Sequence, residues 1–379
     1  MIEFLNGIYH DLLSRVDRVK SILQNGDFDD ELRETFLTKT VDLLDELSSE
    51  IQHVIDSGDL ELDFIVNNNL IRYNRFNQAF QAIELYRYRV IEKYGVAERY
   101  FNKKIERIYN EIENFSQLPP IITTISNSEE YYWAHPLYEI IAVPSGEEKN
   151  LLNLPDLYHE VGHLIFKQYS DSLVGSLIDE ISKYFAAQKQ LAVDQNKSGK
   201  LIDLLKEIEA NWKNGWIEEF TCDIIGTYLV GPAYGWTNLK LTTNSTYFNA
   251  VYSPSVSHPS DDSRNKAILK TLNLLGYGHD DIQVLEKSWK DFQSHISDDY
   301  PEYYDYYFPE ELIEKLVQNV VQGCKDIALR SHLEQIEKFD RPISQILNEA
   351  WFIARNKPQE FSEWEKKTIQ EIDESLNGE

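Results

Sequence analysis

His159, Glu160 and His163 stand in the order H-E-x-x-H within the segment Asp156-Leu157-Tyr158-His159-Glu160-Val161-Gly162-His163-Leu164-Ile165. On an α-helix, positions four apart stack on one face, so the two imidazoles can direct one ring nitrogen each at a single metal ion. Glu160, one residue past the first histidine, points beside that face, where a carboxylate can hold a metal-bound water and take its proton. The chemistry implied is metal-assisted hydrolysis. Leu157, Tyr158, Val161, Gly162, Leu164 and Ile165 are all uncharged. That fits a helix buried in the floor of a cleft, whereas an accidental match on a solvated helix would carry Lys or Glu among them.

A catalytic zinc takes three protein ligands and keeps a fourth position for water, so a further ligand is expected from another element. The best source is Trp216-Ile217-Glu218-Glu219-Phe220-Thr221-Cys222-Asp223, where Glu219 and Asp223 share a helix face beside Ile224, Ile225 and Leu229. Two carboxylates buried there are costly unless a metal and its ligands pair with them. Glu219 is then the expected zinc ligand and Asp223 the acceptor of the second ring N–H of a ligand histidine, His159. Glu218 is the neighbouring alternative ligand, but its partner one turn on is Cys222, which offers no such acceptor. Cys222 opens another option, because zinc deformylases combine H-E-x-x-H with a thiolate ligand. Against it stands the ordinary behaviour of a buried free cysteine as a small hydrophobe.

A third constellation is Ser257-His258-Pro259-Ser260-Asp261-Asp262-Ser263-Arg264. H-E-x-x-H, then E-x-x-x-D on a later helix, then H-P-x-x-x-x-R opening a further helix resembles the gluzincin metallopeptidases. The specific likeness is to the branch that includes the membrane CAAX prenyl proteases and the small soluble minigluzincins. It rests on His159, Glu160, His163, Glu219, Asp223, His258, Pro259 and Arg264 and covers about residues 135 to 275. The resemblance implies a zincin-like domain with one Zn2+ per chain held by His159, His163 and Glu219. It also implies peptide-bond hydrolysis with Glu160 as general base, His258 placed to stabilise the oxyanion, and Arg264 organising the acidic side of the site. Such enzymes pair an extended substrate with an edge strand ahead of the metal helix. Here that strand is Tyr138 to Val143, with Tyr138, Ile140 and Ala142 as the substrate-binding positions, though a plain core strand would read the same. The chain departs from the membrane branch in lacking membrane spans, and it has Cys222 where that branch usually carries alanine.

The elements that must position these residues read as mostly α, with an α+β catalytic core. Residues 1–115 form the expected N-terminal helical bundle: apolar residues recur at three and four, with breaks at Asn25-Gly26, Ser57-Gly58 and Gly95 dividing about four helices. The boundary is expected near residue 116, because Leu118-Pro119-Pro120 ends the helical pattern and the β-branched Ile121 to Ser126 reads as a strand. Residues 116–280 form the expected metallopeptidase core, with helices from about Leu151 to Tyr169, Gly175 to Asn196 and Leu201 to Leu229. Residues 281–379 form a C-terminal helical region.

The formal net charge of −27 over 379 residues repels nucleic acid phosphates, and no basic patch interleaved with aromatics overrides it. Only two cysteines occur, Cys222 and Cys324, which fits a reducing, cytoplasmic setting. No apolar run approaches the ~18 residues of a membrane span, so no membrane insertion is expected. The expected partner is a peptide or protein substrate, and the helical flanks can roof the cleft or bind a protein partner. Two other functions remain open from the same residues. One is a zinc amidase or deacylase acting on a non-peptide amide; the other is a zinc-stabilised interaction protein without activity.

Overall fold

A computed structural model describes residues 2–26, 28, 32, 34–62, 65–112, 119–126, 131–197, 199–244, 251–295 and 300–377. It is mostly helical with one small sheet, and it divides into two compact units. The first comprises residues 1–102 with 122–125. Its helices are α1 (Ile2–Asn25), α2 (Glu34–Asp56), α3 (Val66–Ile83), which runs through a π-helical turn into α4 (Arg89–Lys93), and the start of α5 (Val96–Ile112). The breaks fall at the expected glycines, and Gly58 takes a left-handed φ of 75° that a side chain would resist. In α1, Leu5, Tyr9, Leu12, Val16, Val19 and Leu23 are buried, the three-and-four spacing of one covered stripe. A buried cation belongs to this unit: Arg87 lies 3.7 Å over the Phe36 ring and donates to Thr40 Oγ1 and the Phe36 carbonyl.

The second unit comprises residues 103–121 and 126–379. The expected boundary near residue 116 lies outside the described residues, and the helices after residue 281 belong to the same unit as the H-E-x-x-H helix. The sheet is built from β1 (Ile121–Ser126), β2 (Trp133–His135) and β3 (Ile140–Pro144) in the order β1-β3-β2. β2 runs antiparallel to β3 with Trp133 opposite Ala142 and His135 opposite Ile140. β2 escapes a sequence reading because three residues are too few to display alternation.

Here the structure corrects the proposed substrate strand. β3 starts at Ile140, and residues 136–139 form the turn from β2, with Glu139 at φ 56°. β3 is also the middle strand, so its backbone donors and acceptors are engaged by neighbours on both flanks. Ile140 and Ala142 are fully buried, and Tyr138 sits in the turn. None of the three is placed to receive an extended peptide. The reason is legible: five buried residues in a row are the signature of an interior strand, which the apolar run Ile140-Ile141-Ala142-Val143 already carries. The strand at the end of the order β1-β3-β2 that packs against the metal-motif helix is β2.

That helix is α6 (Asp156–Asp194), two helical stretches joined across a kink at Tyr169 (φ −122°, ψ 20°), where the first of the two expected helices ends. It begins after Pro155, because Leu151 to Pro155 form turns. Then follow α7 (Gly199–Asn211), a π-helical turn (Trp212–Trp216), α8 (Ile217–Val230), α9 (Pro232–Asn244) and α10 (Asp261–Leu275). The chain ends with α11 (His279–His295), α12 (Tyr304–Tyr307), α13 (Glu310–Asp326), α14 (His332–Lys338), α15 (Ile343–Asn356) and α16 (Pro358–Asn377). Every residue of α8 except Glu218 is buried, as befits a helix covered by α6, α10 and α13. Gly231, at φ 73°, ends α8, and Pro232 opens α9. Among the described residues, no helix is long and apolar enough to cross a membrane.

Candidate metal centre

α6 and α8 can approach closely because of Gly162. A Cβ added there would sit 2.9 Å from Cys222 Cα and 3.1 Å from Cys222 Cβ, distances that side chains do not tolerate. The glycine between the two histidines therefore brings α8 to the face that carries them. His159 Nε2 lies 3.5 Å from Glu219 Oε2, and His163 Nε2 lies 3.8 Å from Glu219 Oε1. A third imidazole, His258 Nε2, lies 3.7 Å from Glu219 Oε2.

Each motif histidine is oriented through its other nitrogen. His159 Nδ1 donates to Asp223 Oδ1 at 3.0 Å and His163 Nδ1 donates to Glu218 Oε1 at 2.9 Å. A proton fixed on Nδ1 leaves the Nε2 lone pair free toward Glu219. Asp223, fully buried, is itself clamped: Arg264 Nε donates to Oδ2 at 2.8 Å and Nη2 to Oδ1 at 2.7 Å. Tyr234 adds a third donor, its hydroxyl 2.6 Å from Asp223 Oδ1 and 3.1 Å from His159 Nδ1. Burial would raise the Asp223 carboxyl, but Arg264 and His159 outweigh it and hold it well below the usual range. The same contest at Glu219, burial against the two motif histidines and Arg264, ends with its carboxyl held down to about 2.

Glu160 is buried and lines a cavity of about 320 Å³ with His159, Glu219, His258 and Arg264. Burial pushes its carboxyl upward against the pull of His159 and His163, which suits a group that must accept a proton. His258 sits at the mouth, its side chain 56% exposed, so it is no core histidine. Ser257 Oγ lies 2.8 Å from His258 Nδ1, and the His258 backbone N–H donates to Ser255 Oγ at 2.9 Å. Partial burial and the neighbouring Arg264 lower the His258 pKa against the pull of Glu219.

The residues fit a metal on one decisive point. Among the described residues, Glu219 Oε2 is buried with no hydrogen-bond partner at regular geometry, although three imidazole nitrogens face its carboxylate. A buried carboxylate oxygen left without a donor is expensive, and a cation between it and the two Nε2 atoms removes the cost. A rival donor set exists: ligand atoms of His159, His163 and Cys222 lie within 4.8 Å of one another. Burial, with the surrounding carboxylates adding to it, pushes the Cys222 thiol far above its usual range when no metal is bound. Glu219, an anion whose two oxygens face one motif histidine each, stands beside Cys222 as the other third donor.

The structure brings together His159, Glu160, His163, Glu219, Asp223, His258 and Arg264, and leaves Tyr138, Ile140 and Ala142 outside the cavity lining. Two participants escape the sequence reading. Tyr234 comes from α9, across the Gly231-Pro232 corner, with no spacing that ties it to the motif. Glu218 stands in view, but weighing it as a ligand hides its contact with the far nitrogen of His163. Searches of protein-family models, curated proteins and solved structures each find no match to the chain.

Proposed function

We propose that this chain is a zinc-dependent peptidase of the gluzincin kind, with the metal held by His159, His163 and Glu219. The observation that carries the reading is the convergence of two Nδ1-anchored imidazoles and one partnerless carboxylate oxygen beside Glu160 in a single cavity. Zinc, when bound, supplies a Lewis acid that polarises the scissile carbonyl and acidifies water. Glu160 accepts the proton of the attacking water and delivers it to the leaving nitrogen. His258, at the cleft mouth, is placed to donate to the oxygen on which charge develops. Asp223 and Arg264 hold His159 in one tautomer and touch no reacting atom.

The test is Glu160→Gln. The variant should retain one zinc per chain by elemental analysis and lose about a hundredfold or more of cleavage on a peptide library. Equal cleavage by parent and variant would refute the mechanism. Intact peptides together with Glu160-dependent turnover of small amides would transfer the site to the amidase reading.

A further inference from the structure

A larger cavity, about 640 Å³, lies in the same unit and shares none of the residues lining the cleft. α9, α14 and α15 wall it with Trp236, Leu333, Ile336, Trp351 and Phe352, an aromatic and aliphatic lining of the size that takes small molecules. Phe352 is 60% exposed at its rim.

Most polar groups around it are already spent. Asn348 accepts from the Ala233 backbone N–H at 3.0 Å and donates to the carbonyls of Val230 and Ser344. His332 Nδ1 pairs with Ser344 Oγ at 2.9 Å, and Glu349 is engaged by Arg341 and Gln345. Two donors are left over. The Tyr277 hydroxyl is buried with no hydrogen-bond partner among the described residues. Arg355 lays its guanidinium 3.8 Å over the Trp236 ring and, among the described residues, forms no ion pair. Asp281, the carboxylate whose charge reaches Arg355, stays beyond ion-pair distance.

Both unspent groups are donors, and one is a cation stacked on an aromatic wall. An amine would set its charge against the Arg355 guanidinium, which Asp281 reaches only through its field, and a plain hydrocarbon would leave the hydroxyl and the guanidinium unmatched. We infer that this cavity is a second binding site, for a small carboxylic acid with an apolar body. The carboxylate faces Arg355 and Tyr277 while the body lies against Trp236 and Trp351.

Calorimetric titration of the full chain with octanoate, octanol and octylamine tests this, independently of whether the chain cleaves peptides. Octanoate should bind saturably and at least about tenfold more tightly than octylamine. Arg355→Gln and Tyr277→Phe should each weaken octanoate about three- to tenfold while leaving octanol unchanged. Arg355→Met keeps an apolar stem over Trp236 and serves if the glutamine variant melts early. Absence of saturable octanoate binding, equal binding of octylamine, or indifference to the loss of Arg355 would each overturn the assignment.

Discussion

Arg264 and Asp223 meet through two parallel hydrogen bonds of 2.8 and 2.7 Å, and the oxygen shared with Arg264 Nη2 is the one that receives His159 Nδ1. A part-buried guanidinium and a fully buried carboxylate neutralise each other here, and the surplus acceptor capacity of the carboxylate orients His159.

Asp223→Asn is expected to leave Arg264 as an uncompensated charge in a dry site and to release the His159 tautomer. The chain should lose on the order of 3–5 kcal/mol of stability. Zinc affinity should fall about ten- to a hundredfold. Thermal unfolding and competitive zinc titration report the two losses separately, and a variant matching the parent in both would show that the clamp is idle.

Glu219→Gln and Cys222→Ala separate the two donor sets. With Glu219 as ligand, the glutamine variant loses more than about a hundredfold in zinc affinity. The alanine variant keeps its zinc and loses on the order of 1 kcal/mol from a small buried gap. Elemental analysis after dialysis reads the first, and the reverse pattern would move the metal to the thiolate.

Gly162→Ala should cost about 1–3 kcal/mol, because its Cβ would meet Cys222 Cα at 2.9 Å. The obstruction is Cα and Cβ as well as Sγ, so adding Cys222→Ala should restore little of the loss. Denaturant unfolding of the single and double variants measures this; full rescue would contradict the close backbone approach.

Glu111 supplies a pH signature. It accepts from Arg107 Nε at 2.9 Å and Ile343 N–H at 2.8 Å, yet burial pushes its carboxyl up to about 7. Between the ordinary carboxyl value near 4.5 and about 7, the folded chain holds a proton that the unfolded chain has released. Stability from this group is thus present below that window and declines as pH rises through it. Glu111→Gln should remove the decline, gaining about 1–3 kcal/mol at about pH 8 relative to about pH 5. Melting curves of both proteins that stay parallel across this range would reject it.

Much of the helical architecture is legible because apolar spacing and glycine breaks are local signals. Gly26, Gly58 and Gly95 lie where helices end, and Ile121 to Ser126 forms its strand. The residues of the candidate site are legible for a related reason: a shared helix face needs neighbours at i and i+4, and His159 with His163 and Glu219 with Asp223 carry that spacing in the chain. What depends on partners distant in sequence is not legible. Tyr234 reaches Asp223 through a corner between helices, and the central position of β3 follows from the three-residue strand β2, which no period announces.

The π-helical turn Trp212–Trp216 inserts one residue into the helix that otherwise runs from α7 into α8. Each residue advances an α-helix by about 100°, so this turn sets the angular phase of everything after it. It is also pinned at its outer surface. Trp216 Nε1 donates to the Ser255 carbonyl at 2.8 Å, and a Cβ on Gly215 would lie 3.0 Å from the Ser257 carbonyl oxygen. The aim of Glu219 toward the histidines and the station of the His258 loop are therefore set by one short stretch. Deleting a single residue from it would swing the carboxylate about a quarter-turn out of alignment and unmoor the loop at the same stroke. The helix works here like the indexed shaft of a lock, in which a shift of one step disengages two parts that never touch the step itself.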